Sequence, residues 1–259
     1  MTRCCTFASG SSGNAALLSS GNTHILIDMG ISCRRIIKSL EQIGLKGEDL
    51  SAVLITHEHT DHIAGLATYI KKYRTPIITT SATARQLSYR IAGIEPLLRC
   101  AEWWEDIAVG SVEVTVLPTS HDCGGSCAFR FGTREGTVGY MTDTGYISGE
   151  TAAALLGSRL LVLESNHDVE MLRSGPYPYP LKQRVLGMRG HLSNDTAAAF
   201  AVDSVRAGTE SIVLAHLSHE NNTPQVALNT VGRVLEAAGY DGKLCCAPRD
   251  TMSEIFVME

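Results

Sequence analysis

Short runs of apolar residues, several of them alternating with polar positions, fill the first sixty residues and are separated by breaks rich in glycine and serine. A two-residue alternation bounded by such breaks is typical of short β-strands joined by turns. The predicted strands are 4–8, 15–19, 23–28 and 52–55, and the predicted turns are 9–14 and 20–22.

A different period begins after Ser32, where Ile36, Ile37, Leu40 and Ile43 recur three and four positions apart. This spacing predicts a helix over 34–44, and Ser32 has the side chain of a good N-cap. A second helix is predicted near 63–73.

The second half of the chain repeats the rhythm of apolar strand and amphipathic helix. The predicted strands are 112–118, 127–132, 137–143, 159–165 and 211–216, and the predicted helices are 151–156, 193–207 and 223–238. No stretch rich in glycine, proline or charge divides the halves as a linker would. We therefore expect one domain over residues 1–259, an α/β fold with two packed sheets and helices outside.

Composition narrows the function classes. Hydrophobic residues make up 44% of the chain and charged residues 19%, which is typical of a folded globular protein.

The N-terminus lacks the apolar stretch of a signal peptide, and no run reaches transmembrane length. We therefore expect a cytoplasmic protein without a membrane partner. In that compartment its eight cysteines are expected to be reduced. A formal charge of −5 argues against nucleic-acid binding through overall charge, but a local basic patch stays possible.

The densest chemistry lies in the stretch THEHTDH, which follows the apolar run AVLI. His57 and His59 lie two residues apart and can project toward one ion, while Asp61 and His62 begin the next helix and can reach a second. Imidazole and carboxylate are ligands that zinc and manganese use in hydrolytic sites. A solvated polar loop is the alternative, but so many ligands directly after a buried strand disfavour it.

Three further candidates stand just past apolar runs. His121 follows VEVTVLPTS, Asp143 follows TVGYMT and His216 follows SIVLA. Each alone could be a capping or turn residue. Together with the cluster they supply seven candidate ligands, enough for two divalent ions that share a bridging group.

These motifs resemble the metallo-β-lactamase fold superfamily over essentially the whole chain. The segments FASGSSGN, LIDMGIS, THEHTDHIAGL, TSHD, ESNHD, GPYP and RGHLSN most resemble its WalJ branch, also called YycJ, a group of bacterial DNA exonucleases. The resemblance implies a four-layer αββα sandwich with two Zn²⁺ or Mn²⁺ ions. It implies that one ion is held by His57, His59 and His121, the other by Asp61, His62 and His216, and that Asp143 bridges them.

The segment 171–191 favours a phosphate-containing substrate. It carries Arg173, Lys182, Arg184 and Arg189 without an acidic residue, together with two tyrosines. Basic groups interleaved with aromatic rings are typical of surfaces that follow a nucleic-acid backbone. A solvated helix face is the alternative.

Other residues near the predicted strand ends complete the candidate site. Asn166 and His167, in ESNHD, are predicted to line the site or orient ligands, and we group them with Lys182, Arg184 and Arg189 as substrate-binding candidates. His191 precedes the predicted helix cap Ser193, so it is expected near free amides and can protonate a leaving oxygen. A structural histidine is the alternative. The catalytic candidates are Asp61 and His191.

We therefore predict a metal-dependent phosphodiesterase that acts on nucleic acid, and the resemblance implies a DNA exonuclease of 5′ to 3′ polarity. One alternative is hydrolysis of a small cyclic phosphodiester or a thioester. Another is a regulatory, partner-binding protein with structural metals. The sequence leaves open the choice between zinc and manganese, the choice between DNA and RNA, and the oligomeric state.

Overall fold

Fourteen strands and nine α-helices make up the computed structural model, which describes all residues 1–259. The strands are β1 (Thr2–Ala8), β2 (Ala15–Ser20), β3 (Thr23–Ile27), β4 (Ala52–Leu54), β5 (Ile77–Thr79), β6 (Leu98–Cys100), β7 (Asp106–Val109), β8 (Val112–Pro118), β9 (Cys127–Thr133), β10 (Gly136–Met141), β11 (Leu160–Glu164), β12 (Ser211–Ala215), β13 (Lys243–Cys246) and β14 (Phe256–Met258). The helices are α1 (Cys33–Gln42), α2 (Thr60–Ile63), α3 (Leu66–Tyr69), α4 (Ser81–Arg90), α5 (Gly149–Leu155), α6 (Val169–Ser174), α7 (Tyr179–Leu186), α8 (Asn194–Arg206) and α9 (Pro224–Ala237).

The strands form two seven-stranded sheets, with orders β14-β1-β2-β3-β4-β5-β6 and β13-β12-β11-β10-β9-β8-β7. Each sheet is half antiparallel and half parallel. In the first, β14 to β3 pair antiparallel and β3 to β6 pair parallel. In the second, β7 to β10 pair antiparallel and β10 to β13 pair parallel.

Three apolar clusters hold these layers together. The central cluster lies between the sheets and contains Leu18 and Ile25, which are register partners on β2 and β3, together with Phe129 of β9. A second cluster packs α1 and α4 on the outer face of the first sheet, and a third packs α8 and α9 on the second. The predicted four-layer αββα arrangement is therefore confirmed.

Most elements with a clear period were predicted correctly. Ser32 caps α1 by accepting a hydrogen bond from the Arg35 amide, and Ser193 caps α8 in the same way from Thr196. The predicted helix 63–73 is wrong in its bounds, because α2 already ends at Ile63 and, after a break at Gly65, only Leu66–Tyr69 is helical. A Cβ on Gly65 would lie 2.3 Å from the carbonyl oxygen of Ile31, so the chain passes too close to the preceding loop for a larger residue.

Several elements were missed. They are β5, β6, β7, β13, β14, α4, α6 and α7. The missed strands have only three or four residues, too few for a period to show.

None of the nine helices has both the length and the apolar character that crossing a membrane requires. All eight cysteines are free.

Candidate active site

Seven predicted ligands from distant parts of the chain meet at one edge of the sandwich. They lie in the loops after β4, β8, β10 and β12 and at the start of α2. Their donor atoms form groups whose members all lie within 4.8 Å of one another. Three of these groups are His57, His59 and His121; Asp61, His62 and His216; and His57, His62 and Asp143.

Asp143 lies between the first two groups. Its Oδ2 is 3.3 Å from His62 Nε2, and its Oδ1 is 3.5 Å from His216 Nδ1 and 3.8 Å from His121 Nε2. In the remaining pairs, Asp61 Oδ2 lies 3.6 Å from Nε2 of His62 and of His216. A single carboxylate thus faces the donors of both groups.

The donor atoms fit divalent metal ions. His57 Nε2, His216 Nε2 and Asp143 Oδ2 are buried and have no hydrogen-bond partner in the protein. Buried polar atoms almost always have a partner, so these three atoms indicate a bound ligand that is not part of the protein chain. Nitrogen and carboxylate oxygen donors directed at one point are what zinc, manganese and related ions require.

The electrostatics of the cluster favour added positive charge. Burial raises the pKa of Asp143, but the charges of His216, His62 and His57 outweigh it and hold the pKa well below its ordinary value. For His216, burial lowers the pKa, but Asp143, Asp61 and Glu164 outweigh this and raise it to about 10. The carboxylates are therefore ionised and attract cations.

Behind His62, a buried carboxylate fixes the orientation of the ring. Asp28 Oδ2 lies 2.7 Å from His62 Nδ1, and both side chains are fully buried. The Thr56 amide donates to Asp28 Oδ1 at 2.8 Å and its hydroxyl donates to both carboxylate oxygens. A carboxylate behind a ligand histidine selects the tautomer whose other nitrogen is free for metal.

Three site residues adopt the left-handed backbone region that favours glycine. Asp28, Asp143 and His216 have φ values of 60°, 57° and 56°. Each follows the last residue of β3, β10 or β12 by one or two positions, so the kink turns the side chain toward the cluster. Such conformations cost about 1–3 kcal/mol each and persist where the surrounding structure imposes them.

Glu164 is a residue that the sequence reasoning missed. It ends β11 and is fully buried, and its Oε1 lies 2.8 Å from Nδ1 of both His191 and His216. Its Oε2 accepts hydrogen bonds from the amides of Thr144 and Leu192. Burial raises its pKa, but His191 and His216 outweigh this and lower it to about 2. The signal that could have identified Glu164 is its position as a carboxylate at the carboxyl end of an apolar strand. Asp28, directly after β3, has the same signal and was also missed.

His191 lies at the rim of the cluster, and its Nδ1 is 3.7 Å from Asp143 Oδ1. The sequence placed this imidazole near free amides of the following helix. Instead its nearest partner is Glu164, and at the start of α8 the amides of Thr196 and Asn194 already donate to the Ser193 hydroxyl and the His167 carbonyl.

A cavity of about 170 Å³ opens beside the cluster. Its lining includes His121, His191, Asn166, Tyr177, Arg184 and Arg189. It therefore brings together one candidate ligand, the candidate acid, two arginines and an aromatic ring.

The predicted substrate contacts divide into two groups. Arg189 Nε donates to the His121 carbonyl at 3.0 Å, and Arg184 Nε donates to Asp122 Oδ2 at 2.6 Å, so both arginines are anchored beside the cluster. Lys182 does not line the cavity, and its Nζ donates to the Arg173 carbonyl at 2.6 Å.

Of the neighbouring residues Asn166 and His167, only Asn166 lines the cavity. Asn166 Nδ2 donates to the His216 carbonyl at 2.8 Å. His167 is only 1% exposed, and burial lowers its pKa to about 4. The prediction that His167 binds substrate is therefore wrong, because a neutral, buried imidazole that does not line the cavity cannot touch substrate.

Comparisons with known proteins agree with this architecture. Residues 23–217 match the family model described as "Beta-lactamase superfamily domain". The chain is 36% identical over 234 residues to the exodeoxyribonuclease YycJ of Bacillus anthracis, covering 90% of this chain and 89% of that protein. It is 35% identical over 255 residues to the exodeoxyribonuclease WalJ of Streptococcus pneumoniae, covering 96% and 95%.

A solved structure shows the same fold. The metallo-β-lactamase fold protein YhfI of Bacillus subtilis superposes with a TM-score of 0.75 at 20% identity, covering 98% of this chain and 100% of that one.

Proposed function

The chain belongs to the β-lactamase superfamily, in the group that contains YycJ and WalJ, and from that premise we propose that it is a DNA exonuclease of 5′ to 3′ polarity. It has the fold of a metallohydrolase, and its cluster of histidines and aspartates is a site for divalent metal. The names of the two relatives support DNA as the substrate class. We further propose that residues 1–259 form one domain, because the apolar cluster between the sheets draws on residues from Cys4 to Met258.

We assign two ions to the site. His57, His59 and His121 would hold one, Asp61, His62 and His216 the other, and Asp143 would face both. The donors are nitrogen and oxygen without thiolate, a set that suits both Zn²⁺ and Mn²⁺. When bound, such a pair of ions polarises a phosphodiester and lowers the pKa of water.

The surrounding side chains have separate tasks. Arg189 and Arg184 would bind the DNA backbone at the cavity, and Tyr177 offers a ring against which a base can stack. Asp61 would accept a proton from the attacking water, because its side chain is 26% exposed while that of Asp143 is 3% exposed.

His191 would donate a proton to the departing sugar oxygen. Glu164 holds its Nδ1, which leaves Nε2 as the nitrogen available to substrate. Glu164 also contacts His216, so the candidate acid and a candidate ligand are oriented by the same carboxylate.

The cavity is the observation that carries this proposal. A phosphodiester placed there would touch His121 of the cluster, the candidate acid His191 and Arg189 at once. Binding, positioning and protonation of a leaving group therefore meet within one space beside the cluster.

The test uses DNA duplexes labelled at the 5′ or the 3′ end, incubated with protein loaded with Zn²⁺ or Mn²⁺. Release of nucleotides from the 5′ end, absent with EDTA and in His59→Ala, is the expected result. Release from the 3′ end would refute the polarity alone. Intact DNA alongside turnover of a cyclic nucleotide or a thioester would move the function to small esters. Metal binding without any turnover would support a regulatory protein with structural metals.

A further inference from the structure

Asp122 lines the cavity beside the candidate metal centre. It follows His121 in the loop between β8 and β9, and its side chain is 25% exposed. One carboxylate oxygen, Oδ2, accepts a hydrogen bond from Arg184 Nε at 2.6 Å. The other, Oδ1, lies 3.5 Å from His59 Nε2 and 3.4 Å from His121 Nε2. The two oxygens thus face different parts of the site.

Nδ1 is the nitrogen of His59 that faces the other candidate ligands. It lies 3.3 Å from His121 Nε2. Donors of a tetrahedral zinc ion, each about 2.0–2.1 Å from the metal, are separated by about 3.4 Å. His59 Nδ1 and His121 Nε2 are therefore spaced as two ligands of one zinc ion would be. His59 Nε2 is then the nitrogen on the side of the ring away from the ion, and we call it the outer nitrogen.

Asp122 faces that outer nitrogen. A neutral imidazole carries one N–H, and a carboxylate that accepts it at Nε2 leaves the lone pair of Nδ1 for a metal ion. Direct ligation by Asp122 is disfavoured, because the group of donors within 4.8 Å of one another consists of His57, His59 and His121 without it. Asp122 Oδ1 also has no hydrogen-bond partner in the protein, so it is free to accept this proton.

We propose that Asp122 is a positioning residue that selects the metal-binding tautomer of His59 and is itself held in place by Arg184. Arg184 is 60% exposed and lines the cavity, so the same carboxylate contacts both the substrate surface and His59, which would hold one metal ion. This inference rests on the assignment of His57, His59 and His121 as ligands.

The test measures Zn²⁺ affinity by competition with a chromophoric chelator, without DNA, and the visible spectrum of the Co²⁺-loaded protein. Asp122→Asn should weaken one of the two bound ions about 10-fold to 100-fold and alter the Co²⁺ spectrum. Arg184→Gln should weaken the same ion by less. In the Asp122→Asn background, Arg184→Gln should have no further effect, because the two residues act in one chain of contacts.

Matched controls separate this effect from a change in surface charge. Lys182→Gln removes a cation from the same helix, and Asp203→Asn removes an exposed carboxylate that pairs with Arg206. Neither should alter Zn²⁺ affinity. Arg184→Gln is expected to fold because its side chain is mostly exposed. If Asp122→Asn does not fold, the proposal is decided by Arg184→Gln alone, and unchanged affinity in that variant overturns it.

The outcomes also separate this inference from the proposed function. Wild-type protein that binds no Zn²⁺ would refute the metal assignment itself, and the positioning role with it. Two tight ions in wild type and an unchanged Asp122→Asn would refute only the positioning role. An effect of Arg184→Gln that persists in the Asp122→Asn background would refute the coupling.

Discussion

Glu164 and His191 are joined by a 2.8 Å contact between Oε1 and Nδ1, at the rim of the candidate metal centre. The carboxylate is fully buried, while the imidazole side chain is 20% exposed and lines the cavity. A buried anion thus orients a ring that substrate can reach. Such an arrangement is suited to proton transfer.

Replacement of His191 by alanine should lower kcat for DNA by about 100-fold to 10,000-fold, because the departing sugar oxygen loses its proton donor. A nucleoside p-nitrophenyl phosphate releases a stable anion that needs no proton, so its turnover should change little. Steady-state rates on both substrates, with metal content measured on the same samples, check this. Equal losses on both substrates, or loss of an ion, would instead assign His191 to metal binding.

The metal-free protein should lose stability as the pH rises from 6.5 to about 10. The folded pKa of His216 lies near 10, above its ordinary value of 6.5, so its stabilising contribution is complete below pH 6.5 and is lost as the pH rises through the folded pKa. Urea unfolding in EDTA across this range measures the effect.

Two variants and bound metal serve as controls for the pH prediction. His216→Gln should flatten the profile, whereas His219→Gln should not, because His219 is an exposed residue. Bound Zn²⁺ should also flatten it, since a ligand imidazole is neutral. A wild-type profile without slope in EDTA would show that His216 is not held as a cation.

Gly30→Ala should destabilise the protein by about 3 kcal/mol, a large value for overpacking. A Cβ at this position would lie 1.6 Å from the carbonyl oxygen of Asp61. That oxygen also accepts a hydrogen bond from the Asn14 amide at 2.8 Å, so the backbone cannot move freely. Urea unfolding with and without metal measures the change.

Gly149→Ala is the matched control, because nothing lies within 4 Å of its Cβ position. Its stability should stay within about 0.5 kcal/mol of wild type. If Gly30→Ala is equally mild, the close approach of residues 30 and 61 does not constrain the position of Asp61.

Arg189→Ala should weaken DNA binding and reduce the salt dependence of the affinity. Loss of one phosphate contact lowers the slope of log affinity against log salt by about 0.7 for single strands and about 0.9 for duplexes. Fluorescence anisotropy with labelled DNA in EDTA measures both quantities. Arg206→Ala, which removes an arginine paired with Asp203 on α8, should leave the slope unchanged. An unaltered slope in Arg189→Ala would show that Arg189 does not contact the DNA backbone.

Local sequence carried much of the fold. Strands such as β8 and β12 are apolar runs with clear ends, and Ser32, Ser193 and Thr223 cap their helices through short-range hydrogen bonds. These features depend on residues a few positions apart, so a linear pattern contains them. The seven ligand candidates were found for the same reason, because each stands just beyond an apolar run.

The identity of the supporting residues depended on contacts between distant segments. Asp28 reaches His62 across 34 positions, Glu164 reaches His216 across 52, and Arg184 reaches Asp122 across 62. Glu164 is marked locally as a carboxylate at the end of an apolar strand, but no local pattern shows which histidines it contacts. Likewise, Arg184 and Lys182 are equivalent in the sequence as two cations of one basic segment, yet only Arg184 lines the cavity.

The amino-acid sequence thus determines the strands and helices that have a clear period or cap, and it places the ligand-type residues at their ends, because period and capping are local properties. Packing of the two sheets decides the rest. It sets which carboxylate lies behind which imidazole, forces Asp28, Asp143 and His216 into left-handed backbone conformations, and buries His167 while leaving His191 accessible. Those outcomes follow from the burial and hydrogen bonding of groups far apart in the chain, which no local pattern specifies.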